Sequence, residues 1–201
     1  MERLAGAVGA FLAEQLNLDN DRREQLSYGA FIALQSVLVF VILLAIALLF
    51  DIWRQALVIA FTAASLRWKA GGSHLGSATV CTVLSIAVFT GSSLLVKSGT
   101  AYLAAASPWT LLLLVLASTL VASVCVFMYA PVEAATRPLR PEHKERLKAA
   151  SRKLVLAYSL CALVAVPFYR WLGLSIAMGL LLQSFTLTPA GIKIAHILDK
   201  K

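Results

Sequence analysis

Along this chain apolar residues come in long unbroken runs, and polar residues gather in a few short stretches between them. Six apolar segments are read at approximately 28–50, 52–66, 75–96, 102–130, 154–171 and 172–195. The run 28–50 carries no formal charge and is long enough to cross a hydrocarbon core of roughly 30 Å. It begins too late and runs too long for the apolar core of a cleavable signal peptide. The second segment is weaker, because Arg54 leaves only about a dozen apolar residues before Arg67, so it is expected to be short or re-entrant. The last segment is punctuated by Gly173, Gly179, Pro189 and Gly191, which predicts a kink or break near Pro189.

The pattern changes in residues 1–27. Leu4, Val8, Phe11, Leu12 and Leu16 recur at helical spacing, with Glu2, Arg3 and Glu14 elsewhere on the wheel. This predicts an N-terminal amphipathic helix, lying on a membrane surface or packed on the bundle. The stretch NLDND at 17–21 then ends it and caps the next helix. The whole reads as an all-α integral membrane protein of about six transmembrane helices in a single polytopic domain, 1–201. Its parts are the N-terminal helix (1–27), four apolar segments (28–130), a basic cytoplasmic loop (131–153) and two further segments with a tail (154–201).

Composition agrees: 60% of residues are hydrophobic, 14% are charged, and the mean hydropathy is +0.81. Charge sets the orientation. The stretch 131–153 contains Arg137, Arg140, Lys144, Arg146, Lys148, Arg152 and Lys153. With six crossings and this loop inside, both termini and the 67–73 connector are also cytoplasmic. All but three of the 18 lysines and arginines (Arg54, Lys97 and Arg170) then lie inside, as the positive-inside rule prefers. The basic loop is a topology signal that touches anionic headgroups, or a dock for an acidic partner. Pro141 suits the first turn of a helix PEHKERLKAASRKL. Basic residues without interleaved aromatics or a recognition fold give no case for nucleic acid.

Candidate chemistry concentrates in RWKAGGSHLGSATVC, Arg67 to Cys81. A thiolate is the attacking form of cysteine, and a histidine within hydrogen-bond reach can take the thiol proton. On one straight α-helix His74 and Cys81 would share a face but stand about 10.5 Å apart along the axis. A working pair therefore requires the backbone to depart from a straight helix, and Gly71, Gly72 and Gly76 suit that because glycine tolerates positive φ. His143 and His196 have no comparable partner, and Cys125 and Cys161 read as small packing residues. There is no HExxH, no zinc-spaced Cys/His cluster and no Walker-type GxxxxGK[ST], so no metal or cofactor is expected. From the residues alone three classes stay open: a cysteine peptidase, a non-catalytic membrane scaffold or peptide-binding protein, and a small transporter. The third is disfavoured by the scarcity of polar residues within the apolar segments.

At these residues the chain resembles the accessory gene regulator protein B (AgrB) family, bacterial membrane endopeptidases that process quorum-sensing propeptides. The resemblance rests on Arg67, Gly72, His74 and Cys81 as R-x4-G-x-H-x6-C, on YAP at 129–131 leading into the basic loop, and on LQSFTLTP at 182–189. It implies Cys81 as nucleophile and His74 as general base, with Arg67 and Gly72 positioning substrate. It implies a short propeptide partner whose acidic C-terminal tail meets Arg137, Arg140, Lys144, Arg146 and Lys148. The tail would be released and the remaining peptide held as a thioester on Cys81. An internal Cys or Ser would then close a thiolactone or lactone. A homodimer in the bacterial cytoplasmic membrane, with its active site at the cytoplasmic face, is expected on the same ground.

Overall fold

The computed structural model describes residues 2–16, 19–72, 77–104, 108–132 and 141–199. Among these, the regular structure is helical: α1 (Glu2–Gln15), α2 (Asn20–Leu49), α3 (Trp53–Ala70), α4 (Ala78–Ala104), α5 (Pro108–Tyr129), α6 (Pro141–Ala165), α7 (Arg170–Phe185) and α8 (Pro189–Asp199). No described residue belongs to a strand, and one isolated bridge pairs Gly71 with Val132. The chain divides into a unit of residues 1–45 and a unit of residues 46–201.

In the first unit, the predicted cap is present: the Asp19 carboxylate accepts the Arg22 N–H at 3.0 Å. The face of α1 that closes against α2 is its stripe of small residues. Ala5, Gly9 and Ala13 are buried, and a Cβ added at Gly9 would run into Ser27. The large residues of the predicted apolar stripe, Leu4, Val8, Phe11, Leu12 and Leu16, are exposed.

The second unit is built around α7, which packs against α3, α4, α5 and α6. Gly179 and Gly173 let it approach closely. A Cβ at Gly179 would lie 2.8 Å from the Ile59 carbonyl oxygen, and one at Gly173 would lie 2.7 Å from that of Ala162. Around this contact Ile59, Leu66, Val115, Val126, Val155 and Leu180 form a fully buried core. Hydroxyls in the helices are mostly satisfied on their own backbone: Ser93 donates to the Phe89 carbonyl, Ser159 to Val155 and Ser175 to Trp171, each at 2.7 Å. Ser65 also donates to the Tyr158 hydroxyl at 3.0 Å, linking α3 to α6.

The outward faces are apolar, with Phe61, Leu95, Leu120 and Leu160 all exposed. Stretches 22–49, 78–103 and 109–129 are long and apolar enough to cross a membrane, and α7 with α8, bent by 72°, makes a fourth if the pair is one span. This all-helical architecture fits a membrane protein. α3 and α6 do not qualify by length and composition, α3 because Arg54, Arg67 and Lys69 all fall within it. The break predicted near Pro189 is present, with Pro189 opening α8 and the Thr188 hydroxyl accepting the Gly191 N–H at 3.1 Å. The segment read at 154–171 is the second half of α6, which starts at Pro141, where the helix PEHKERLKAASRKL was read to open, and ends at Ala165. Glu, Lys, Arg, Leu and Ala are strong helix formers, and no glycine interrupts them.

Candidate functional site

α3 ends where the sequence offers two consecutive glycines. The Gly71 N–H closes the last turn on the Arg67 carbonyl at 2.8 Å, and the chain then leaves the helix with φ of 73° at Gly71 and 142° at Gly72. Both are left-handed values that glycine adopts without the steric cost a Cβ would bring. No straight helix runs from residue 72 to Cys81: α3 stops at Ala70 and α4 begins at Ala78.

Two parts of the chain, distant in sequence, enclose this elbow. From the end of α5, Val132 donates its N–H to the Ala70 carbonyl at 2.9 Å, and its own carbonyl occupies the space a Gly71 side chain would need. From α7, the buried Gln183 donates its amide N–H to the Gly71 carbonyl at 2.8 Å. A Cβ at Gly72 would stand 2.7 Å from Thr186 Oγ1, 3.2 Å from Gln183 Nε2 and 3.4 Å from Arg67 Nη1. Thr186 is itself held by donating to the Gln183 carbonyl at 2.8 Å.

Cys81 is carried by the first turns of α4. Its N–H donates to the Ser77 carbonyl at 3.0 Å, and the Ser77 hydroxyl accepts the Val80 N–H at 3.4 Å, so Ser77 acts as the N-cap. The half-buried Cys81 thus sits near the positive end of a long helix dipole. Arg67 adds a formal charge. Its guanidinium stands within electrostatic reach of Cys81.

Arg67 and Gly72 of the predicted set therefore meet at the elbow, with Cys81 within electrostatic reach of Arg67. His74, with Ser73 and Gly76, lies outside the described residues, as do Arg137 and Arg140. Lys144 and Arg146 are exposed near the start of α6, and Lys148 pairs with Glu145 at 3.6 Å. Cys125 is half-buried, whereas Cys161 is exposed and so does not pack as read. Among the described residues no group of three His, Cys, Asp or Glu is placed to hold a metal ion. Sequence reasoning did not assign Gln183 or Thr186 to the site. The available signal was their place in LQSFTLTP, where a carboxamide interrupts an apolar segment.

The three stretches gathered at the elbow are the end of α3, the Tyr129–Val132 strip and the end of α7, and the family's sequence model spans all of them, matching residues 7–187 as "Accessory gene regulator B". The chain belongs to the AgrB family. A putative AgrB-like protein of Clostridium perfringens (strain SM101 / Type A) is 30% identical over 208 residues, covering 99% of this chain and 96% of that protein. The accessory gene regulator protein B of Staphylococcus intermedius is 29% identical over 185 residues, covering 88% of this chain and 92% of its own. That of Staphylococcus aureus (strain bovine RF122 / ET3-1) is 24% identical over 179 residues, covering 89% of each. No solved structure matches this AgrB-family chain.

Proposed function

We infer that this AgrB-family chain is a membrane cysteine endopeptidase that cleaves a quorum-sensing propeptide on the C-terminal side of its signal region. The observation that carries the reading is the break at Gly71–Gly72, which turns the chain out of α3 between Arg67 at its end and Cys81 at the start of α4. The seven-residue separation of His74 and Cys81 then need not run along one helix axis.

In the proposed reaction His74 takes the Cys81 thiol proton and the sulfur attacks the scissile carbonyl. Backbone N–H groups in the first turn of α4 would stabilise the oxyanion. The C–N bond breaks as the protonated His74 gives its proton to the leaving amine, releasing the acidic tail and leaving the peptide acyl group as a thioester on Cys81. An internal Cys or Ser of the peptide then attacks this thioester, closing the ring and returning the thiol. The acyl group stays activated throughout, so ring closure requires no ATP provided that water is kept out. Lys144, Arg146 and Lys148 on α6, with Arg137 and Arg140 before it, would receive the acidic tail.

The proposed setting is a six-crossing protein of the cytoplasmic membrane with both termini inside, α1 on the inner surface, and a homodimeric assembly. α3 carries an aromatic–cation pair at each end, Arg54 over Trp53 at 5.2 Å and Lys69 over Trp68 at 4.7 Å. Those tryptophans are separated by about 22 Å of helix, less than the roughly 30 Å hydrocarbon core, so a crossing by α3 would require local thinning of the bilayer. The test is mass spectrometry of Cys81 after mixing the protein in lipid with a candidate precursor. A hydroxylamine-sensitive peptide adduct on Cys81, absent from His74→Ala, is expected. An intact precursor and no adduct would favour a non-catalytic scaffold.

A further inference from the structure

Gln183 stands in the middle of the packed core, 3% exposed, on a helix whose other buried residues are small or apolar. A carboxamide there is costly unless it is paired, and its N–H group donates to the Gly71 carbonyl, 112 residues away in sequence. That carbonyl belongs to the residue at which α3 ends, where the two glycines would otherwise leave the chain free to rotate. On its other side the same turn is fixed by the Val132 N–H on the Ala70 carbonyl. The elbow is thus gripped between two elements, and the α7 side of the grip rests on a side chain. His74 follows two residues after Gly72.

We propose that Gln183 is a positioning residue for the Cys81 chemistry. Its bond to the Gly71 carbonyl fixes the direction in which the chain leaves α3, ahead of the stretch that leads to Cys81. Thr186 contributes by packing its hydroxyl against Gly72. Neither side chain is assigned contact with the peptide. The proposal rests on the peptidase reading above, and its test separates the two.

The experiment uses the full chain in lipid vesicles with Cys125→Ala and Cys161→Ala, so that Cys81 is the one thiol present. Two rates are measured: cleavage of the precursor, and alkylation of Cys81 by iodoacetamide at neutral pH. Gln183→Met keeps the side-chain length and removes the donor. Gln183→Asn keeps the carboxamide but shortens its reach, and it replaces the methionine variant if that one fails to fold. Either variant is expected to lower kcat roughly 10- to 100-fold with little change in KM, and to slow alkylation toward the His74→Ala rate. Combined with His74→Ala, it should slow alkylation no further, because both act through the same group. Ser184→Ala, a buried neighbour that donates to the Leu181 carbonyl at 3.0 Å, should leave both rates near the parent values. Unchanged kcat in both Gln183 variants, losses that add to those of His74→Ala, or an equal loss in Ser184→Ala would each overturn the positioning role. If His74→Ala alone alkylates and cleaves as the parent does, the dyad reading fails first and this proposal falls with it.

Discussion

The N–H of Val132 and the carbonyl of Ala70 are 2.9 Å apart, and this bond joins the strip that enters the basic stretch to the end of the helix that precedes His74. The strip that follows α5 and the end of α3 are therefore joined backbone to backbone. Neither can be displaced at this point without loading the other.

The elbow tolerates no side chain. Gly71→Ala would place a Cβ against the Val132 carbonyl at a φ of 73°. We expect a loss of roughly 1–3 kcal/mol in stability, from the left-handed backbone and the forced shift of Val132. Denaturant or thermal unfolding in detergent checks this, and an unchanged midpoint would contradict the observed contact. Gly72→Ala, opposed by side-chain atoms of Thr186, Gln183 and Arg67, is expected to cost less stability and proportionally more processing activity.

Arg67→Gln removes the cation beside Cys81 while retaining much of the buried volume. Alkylation of Cys81 at neutral pH should slow several-fold, through lost attraction between guanidinium and thiolate. Arg67→Lys should restore part of it. Equal rates in all three proteins would assign Arg67 to the helix terminus alone.

Charge on α6 is expected to act on binding rather than on chemistry. Replacing Lys144 and Arg146 by Glu should raise KM for a precursor with an acidic tail and leave kcat nearly unchanged. The difference should shrink as salt rises, since exposed charges are screened within about 10 Å at 0.1 M. A KM that is insensitive to both salt and charge reversal would leave the basic residues as a topology signal.

The Gly179 contact tests the packing. A Cβ there would stand 2.8 Å from the Ile59 carbonyl and 2.9 Å from the Thr62 Cβ. Gly179→Val should destabilise the protein by about 1–3 kcal/mol through the separation of α7 from α3, read by unfolding in detergent. A neutral result would mean that α7 does not seat on α3 as described.

Orientation is open to direct labelling. Single cysteines placed at Lys97 and at Arg146, in a chain otherwise free of cysteine, should react from opposite sides of the membrane with an impermeant maleimide. Reaction of both from one side would rule out the six-crossing arrangement.

Much of this was legible in the sequence because membrane segments announce themselves locally. The apolar runs fixed the helical class, Pro189 marked the break between α7 and α8, and Pro141 marked the start of α6. The Gly71–Gly72 departure from helix was legible for the same reason: it follows from residue type and from the distance that a straight helix would impose between His74 and Cys81. Gln183 was not legible as part of the site. A carboxamide in an apolar segment can satisfy itself in many ways, and its partner is a backbone carbonyl that carries no residue-specific signature. The stripe by which α1 closes on α2 was missed similarly: periodicity highlights Leu4, Val8 and Phe11, but close approach favours Ala5, Gly9 and Ala13.

What the sequence determined alone was whatever depends on neighbours within a turn or two: the helices, the major breaks, the candidate nucleophile and the motif that carries the family. What only the tertiary structure decided was which distant pieces meet. α7 is drawn into the centre because Gly173 and Gly179 let backbones touch there. That burial carries Gln183 and Thr186 to the end of α3, where the carbonyl freed by two glycines takes a donor from the buried carboxamide. Such a bond is set by the three-dimensional seating of helices, and no local pattern encodes it.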